Sequence, residues 1–233
     1  MSAIAHTFNA DPFPSLAGMG AIAFDVETFD PQLKERGPGA HRDGYIVGIA
    51  VDVETFDPQL KQCGPGAHRD GYIAGIAIGT EAGYRCYYPI AHGAGQNLPK
   101  EDVLSWLRRE LNRDVPKIGA NLIYDLAFLS AADVKVRGPF YDVQVAEPLL
   151  DETRLSYSLE NLGQHYLGQG KVEDDLETWI IEHFGKKNPK ANIWRAPADV
   201  VAQYAIGDID LSLRIFAKQE VELKKQDDCG NCF

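Results

Sequence analysis

Four acidic residues in three short motifs define the chemistry open to this chain. They stand in Asp-Val-Glu-Thr within a β-prone run, and in Asn121-Leu-Ile-Tyr-Asp125 and Tyr204-Ala-Ile-Gly-Asp208 within helix-prone runs. Residues two apart on a strand share a face, so the Asp and Glu of Asp-x-Glu project together. Residues four apart on a helix also share a face, which stacks Asn121 over Asp125 and Tyr204 over Asp208. Carboxylates carried toward one point repel unless cations lie between them. Hard oxygen donors suit Mg²⁺ or Mn²⁺, and two such ions about 3.5–4 Å apart can clamp the attacking and leaving oxygens of a phosphoryl displacement. The expectation is a site for two divalent ions.

The Asp-x-Glu motif occurs twice. Residues 24–50 and 51–77 are tandem copies that differ only at Phe24/Val51, Glu35/Gln62, Arg36/Cys63 and Val47/Ala74. A solenoid needs about three stacked units to bury a continuous core, and nothing similar follows these two. The repeat therefore reads as a segmental duplication. It leaves two candidate pairs, Asp25 with Glu27 and Asp52 with Glu54, for one site. Copy two keeps a short connection to the strands that follow, whereas copy one would need a long loop, uncommon in a compact domain. Copy one keeps Phe24 and its own lead-in. Each doubling of a loop costs only about 0.6 kcal/mol, so the difference is small, and the pair Asp52 and Glu54 is preferred.

The elements that must position these residues follow from pattern. Residues 1–20 hold Pro12, Pro14, Gly18 and Gly20 and read as an irregular lead-in. The first strand is Ala21–Thr28 or its copy Ile49–Thr55, each followed by a Gly-Pro-Gly loop. Strands Tyr72–Ile78 and Tyr84–Ile90 flank the turn Gly79–Gly83 and make an antiparallel meander. Lys100–Leu111 follows Pro99 and places Val103, Leu104, Leu107 and Leu111 on one stripe, which predicts an amphipathic helix. A short strand Lys117–Gly119 leads into the Asn121 helix. Tyr141–Leu150 and Ser158–Leu167 read as two more helices, the second capped by Ser158, and a last helix runs from Pro197 to about Lys225. The order is α/β, with a mixed five-stranded sheet (βββαβα) flanked by helices in one domain over residues 21–225 and a tail over 226–233.

Composition sets ordinary bounds. With 233 residues and 45% hydrophobic content the chain can bury one good core. No run approaches the 18–20 apolar residues of a membrane span, so a soluble, cytoplasmic protein is expected. Cys63, Cys86, Cys229 and Cys232 are too few for a disulfide framework, and Cys229-Gly-Asn-Cys232 lacks a partner pair for zinc. The net charge of −11 excludes a long, sequence-independent grip on duplex. It leaves room for a short single-stranded end, because bound divalent ions invert the local field. Lys186, Lys187, Lys190 and Arg195 form a basic cluster that reads as a solvated loop, with a phosphate contact as the alternative.

Together, Asp-Val-Glu-Thr, Tyr88-Pro-Ile-Ala-His92, Gly119-Ala-Asn-Leu-Ile-Tyr-Asp125, Tyr141-Asp142, Ser158-Leu-Glu-Asn-Leu162 and Tyr204-Ala-Ile-Gly-Asp208 resemble the proofreading 3′–5′ exonuclease domain of bacterial and phage family A DNA polymerases. The likeness covers residues 21–220. The chain is similar to the Asp-Glu-Asp-Asp, ribonuclease H-like exonucleases in general, and Tyr204 places it in their tyrosine branch. The resemblance implies that the strand Asp and Glu hold one ion with Asp208. It also implies that the strand Asp bridges to a second ion near Asp125, that Tyr204 orients the attacking water, and that Asn121 supports the site or the substrate. Asp142 and Asp210 also match family positions, with capping or scaffolding as the expected role. A ribonuclease D-like exonuclease acting on RNA shares the same acids, though Tyr88-Pro-Ile-Ala-His92 favours the polymerase lineage; a catalytically inactive interaction module is the alternative of another class. No palm or fingers motif follows, so the expectation is a free-standing exonuclease, a fragment, or a subunit acting beside a separately encoded polymerase.

Overall fold

The computed structural model describes residues 13–18, 22–25, 50–56, 67, 71–170, 174–186 and 189–230. Residues 1–12, Glu27, Cys63, Lys187, Cys232 and the two Gly-Pro-Gly stretches lie outside the described residues, as do the side chains of residues 22–25, Lys190 and Cys229.

Runs rich in Val, Ile, Tyr and Thr suit a pleated, half-buried surface, and these form the sheet. Its strands are β1 (Ile22–Asp25), β2 (Ala50–Phe56), β3 (Tyr72–Thr80), β4 (Arg85–Pro89), β5 (Lys117–Gly119) and β6 (Phe140–Asp142). β2, β3 and β4 are antiparallel, and β5 and β6 run parallel to β2. The β3–β4 turn uses Gly83 at φ 93°, a backbone state glycine adopts without strain.

Among the described residues the strands fill the five positions the sequence suggests, because the two duplicated copies, β1 and β2, answer to the same position. They carry the same register. Asp25 and Asp52 both face Ala77 of β3, Ala23 and Ala50 both face Gly79, and both alanines pair with Ile118 of β5. β4 already holds one edge of β3. A strand has two edges, so β1 and β2 define a single slot between β3 and β5.

Helices cover both faces. One face of the sheet buries Val53, Ile76, Ile78 and Tyr88 against α1 (Lys100–Leu111) and α2 (Leu122–Ala131). On α1 the stripe Val103, Leu104, Leu107 and Leu111 is buried as its spacing predicts. Trp106 joins it, donating its indole N–H to Pro14 O at 2.8 Å, while Leu16 N donates to the buried Glu110 carboxylate at 3.0 Å. These bonds pin the lead-in to α1. The other face buries Ala50, Ala77 and Tyr87 with α6 (Ala198–Gly230), a helix that continues past Lys225. Each large apolar side chain fully removed from water contributes about 1.5–3 kcal/mol.

Two readings of local structure are corrected. Tyr141 lies in β6, opposite Ile118, and the helix α3 begins only at Val143 and ends at Leu150. The cause is Asp142, extended in backbone, whose side-chain carboxylate accepts from Gln144 N and Val145 N and so caps the helix after Tyr141. The stretch ahead of Tyr204 is not a loop throughout: α5 (Asp174–Phe184) and a 3₁₀ helix (Pro189–Arg195) lie there. Helix α4 (Leu159–Leu167) is capped by Ser158, which accepts from Asn161 N at 3.3 Å, as expected.

Candidate active site

Alternation along β2 sorts its side chains. Ala50 packs with α6 and Val53 with α1 and α2, so Asp52 and Glu54 share the face of Ala50 and look toward α6. Helix α6 runs across β2, β3 and β5 and carries Tyr204 and Asp208 one turn apart on its inner side. Helix α2 packs on β2 and brings Asp125 into its own first turn, where the helix N-terminus favours negative charge. Asp52, Glu54, Asp125 and Asp208 are each at most 1% exposed, and Tyr204 is 3% exposed. Acidic residues are almost never buried to this degree without compensation.

The donor set, four carboxylates, suits a hard divalent cation. Among the described residues no three His, Cys, Asp or Glu side chains form a ready-made metal-holding group. The structure therefore buries the four acids on facing elements without drawing them into a closed ligand cage.

Asn121 departs from the helical stacking expected of it. It precedes α2 with φ 62° and ψ 38°, in the left-handed region that Asn tolerates better than most residues, and so does not sit over Asp125 as an i, i+4 neighbour. The helix it heads is instead held from behind. Leu122 N donates to Asp142 Oδ2 at 2.8 Å while the other oxygen of Asp142 caps α3, so one carboxylate fixes the heads of two helices. Tyr124 and Thr55 share a hydroxyl hydrogen bond at 3.3 Å, tying α2 to β2 one residue past Glu54. Asp210 pairs with Arg85 at 3.0 Å and Arg214 at 3.4 Å, joining α6 to β4. Both Asp142 and Asp210 thus have the scaffolding role expected.

His92 anchors the approach to α6. Its Nδ1 lies 3.1 Å from Ala196 O, which can only accept, so Nδ1 carries the proton and donates. Nε2, 2.6 Å from Tyr87 Oη, then accepts from the tyrosine. Gly75 beneath is required by this arrangement, since a Cβ there would overlap the Tyr87 ring and hydroxyl. Burial holds the His92 pKa down to about 4. The unfolded value is about 6.5, so between these two the unfolded chain binds more protons. The stability carried by neutral His92 is complete above pH 6.5 and is lost as pH falls toward 4, by about 3 kcal/mol in all. Urea midpoints measured from pH 4 to 7.5 should show that slope. His92→Gln should flatten it, and an unchanged slope would assign the acid lability elsewhere.

The 3′–5′ exonuclease family model matches residues 43–224. A DNA-directed DNA polymerase of Pseudomonas phage M6 is 39% identical over 221 residues, which cover 92% of this chain and 29% of that protein. DNA polymerase I of Chloroflexus aurantiacus is 25% identical over 142 residues, 60% of this chain and 14% of that protein. The chain thus spans less than a third of the length of either relative. Brucella melitensis NrnC superposes with a TM-score of 0.51 at 18% identity, covering 76% of this chain and 73% of that one, a likeness of fold. No helix among the described residues is long and apolar enough to cross a membrane.

Proposed function

Because this chain belongs to the 3′–5′ exonuclease family of DNA polymerase I-type proteins, we propose that it hydrolyses nucleoside monophosphates from single-stranded or frayed DNA 3′ ends, as a proofreading nuclease does. The carrying observation is the burial of four carboxylates on β2, α2 and α6, with Tyr204 one turn ahead of Asp208. Asp52, Glu54 and Asp208 would hold one divalent ion, Mg²⁺ or Mn²⁺, and Asp52 and Asp125 a second. Ions bound there lower the pKa of water and take up charge developing on the phosphate. The remaining work belongs to the chain: the carboxylates fix position, Tyr204 orients the attacking water by one hydrogen bond, and the helices around the acids keep bulk water out. Asn121, at the turn into α2, would support the substrate. A DNA polymerase is the partner that the names of the relatives suggest.

Copy two is proposed to supply the strand. The family match begins at residue 43, ahead of copy two and beyond the Asp-x-Glu of copy one, and Asp52 and Glu54 are buried facing α6.

The test is digestion of 3′- and 5′-labelled DNA and RNA oligonucleotides with Mg²⁺ or Mn²⁺. Stepwise loss from DNA 3′ ends is expected. Digestion of RNA alone would move the chain to RNA trimming, and no release from either would leave an interaction module. Tyr204→Phe should lower turnover by about ten-fold, since one hydrogen bond in a dry site contributes about 1 kcal/mol or somewhat more, while leaving Mn²⁺ affinity nearly unchanged. A large loss of Mn²⁺ binding in that variant would contradict an orienting role.

A further inference from the structure

Beyond Glu54, β2 ends in an aromatic cluster that neither the carboxylates nor the core requires. Phe56 lies 5.1 Å from Tyr72 and 5.0 Å from Trp194 between ring centres, and Tyr72 and Trp194 are 6.4 Å apart. All three rings are half-buried. Arg195 is exposed, with its guanidinium 4.8 Å over the Trp194 ring and 5.2 Å over Phe184. A purely structural cluster would have little reason to keep three rings open to water under a cation.

Its place in the fold is specific. β2 and β5 are parallel, and α2 with Asp125 leaves from the carboxyl end of β5, so the acids gather toward the carboxyl ends of these strands. Ligands of open α/β sheets approach from that side. Phe56 is the last residue of β2, two past Glu54, and stands on the outward path from the acids. The cluster is also held rigid. Gly93 N donates to Trp194 O at 2.8 Å, and His92 Nδ1 donates to Ala196 O at 3.1 Å, on either side of Arg195. Rings fixed in advance lose little freedom when something stacks on them.

We propose that Phe56, Tyr72 and Trp194, rimmed by Arg195, form a stacking platform for the nucleobases of a single strand whose 3′ end lies at the carboxylates. This rests on the exonuclease reading above and adds the surface that grips the strand behind its terminal nucleotide. Every base has a π-face, so rings in this arrangement bind without regard to sequence. Arg195, with the exposed Lys186 nearby in the chain, supplies positive charge for phosphates in a protein of net charge −11. Such a platform holds a frayed or single strand and rejects duplex, whose bases are already stacked on each other.

The experiment uses the full chain and fluorescein-labelled oligothymidylate in EDTA, so that no strand is cut. Trp194→Ala should weaken binding by about ten-fold, and Trp194→Phe by no more than about two-fold, the range expected for loss or retention of one base–ring stack. An oligonucleotide abasic behind its 3′ nucleotide should bind wild type about as weakly as oligothymidylate binds Trp194→Ala. In steady-state digestion the KM should rise with kcat nearly unchanged. Should Trp194→Ala fail to fold by circular dichroism, Arg195→Gln tests the same rim from an exposed position, with a several-fold loss that shrinks as salt is raised. Equal affinity of wild type and Trp194→Ala, or of abasic and complete strands, overturns the platform while leaving the nuclease intact. Failure of wild type to bind or digest any strand overturns the exonuclease reading as well.

Discussion

An Asp208→Ala protein is expected to lose nucleotide release by 10²-fold or more, and Asp125→Ala to lose a similar amount. Each side chain is buried to 1% exposure on a helix packed against β2, and a fixed charge that holds a transition-state counter-ion contributes about 3–4 kcal/mol to the chemical step. The fold itself should survive. Carboxylates gathered at one buried site would repel each other, so removing one in the absence of divalent ions should leave the melting temperature equal or raised. Mn²⁺ separates the two effects. Ion binding at a hundred times its dissociation constant stabilises by about 2.7 kcal/mol, and that increment should be present in wild type and absent or much reduced in Asp208→Ala. A folded Asp208→Ala protein that releases nucleotides at a near-normal rate removes Asp208 from the site.

Converting Asp52 and Glu54 to Ala together should abolish activity, whereas the same change at Asp25 and Glu27 should leave it within a few-fold. Side chains two apart on β2 are both buried toward α6, and the family match includes this copy. The slot between β3 and β5 takes one strand, and a half-buried strand specifies its register strongly. A copy left outside the slot would have no carboxylates in the site. The reverse pattern of loss would give the slot to copy one. Equal partial losses from the two double variants would mean that the copies share it.

The sequence carried the acid motifs, the meander and most helices because each has a local signature: a run of β-formers ending at a glycine turn on β3, a buried stripe on α1, a Ser cap on α4. Four features were not legible. Asp142 caps a helix and ends a strand at once, and the apolar run around it reads as one helix unless its pairing with β5 is known. Asn121 takes a left-handed backbone that a helical spacing rule cannot anticipate. Helix α5 has Leu176 and Ile180 buried one turn apart, a signal present in the sequence but short and flanked by charge. The aromatic platform is illegible for another reason: Phe56, Tyr72 and Trp194 come from three separate elements, and only the fold places their rings together.

The shared register of β1 and β2 makes the folding search degenerate. Antiparallel pairing with β3 is open to either copy, because the same backbone partners receive both, although copy one must close a loop about twice as long, which costs only about 0.6 kcal/mol more. Since the strand portions of the two copies differ only at Phe24/Val51, hydrophobic matching barely distinguishes them. Exchange afterwards is slow by construction, because the resident strand must give up its hydrogen bonds to β3 and β5 before the other can enter. The duplication thus leaves the architecture intact and lengthens the route to it: one address in the sheet, two segments that answer to it, and a ladder of hydrogen bonds to be broken each time the wrong one does.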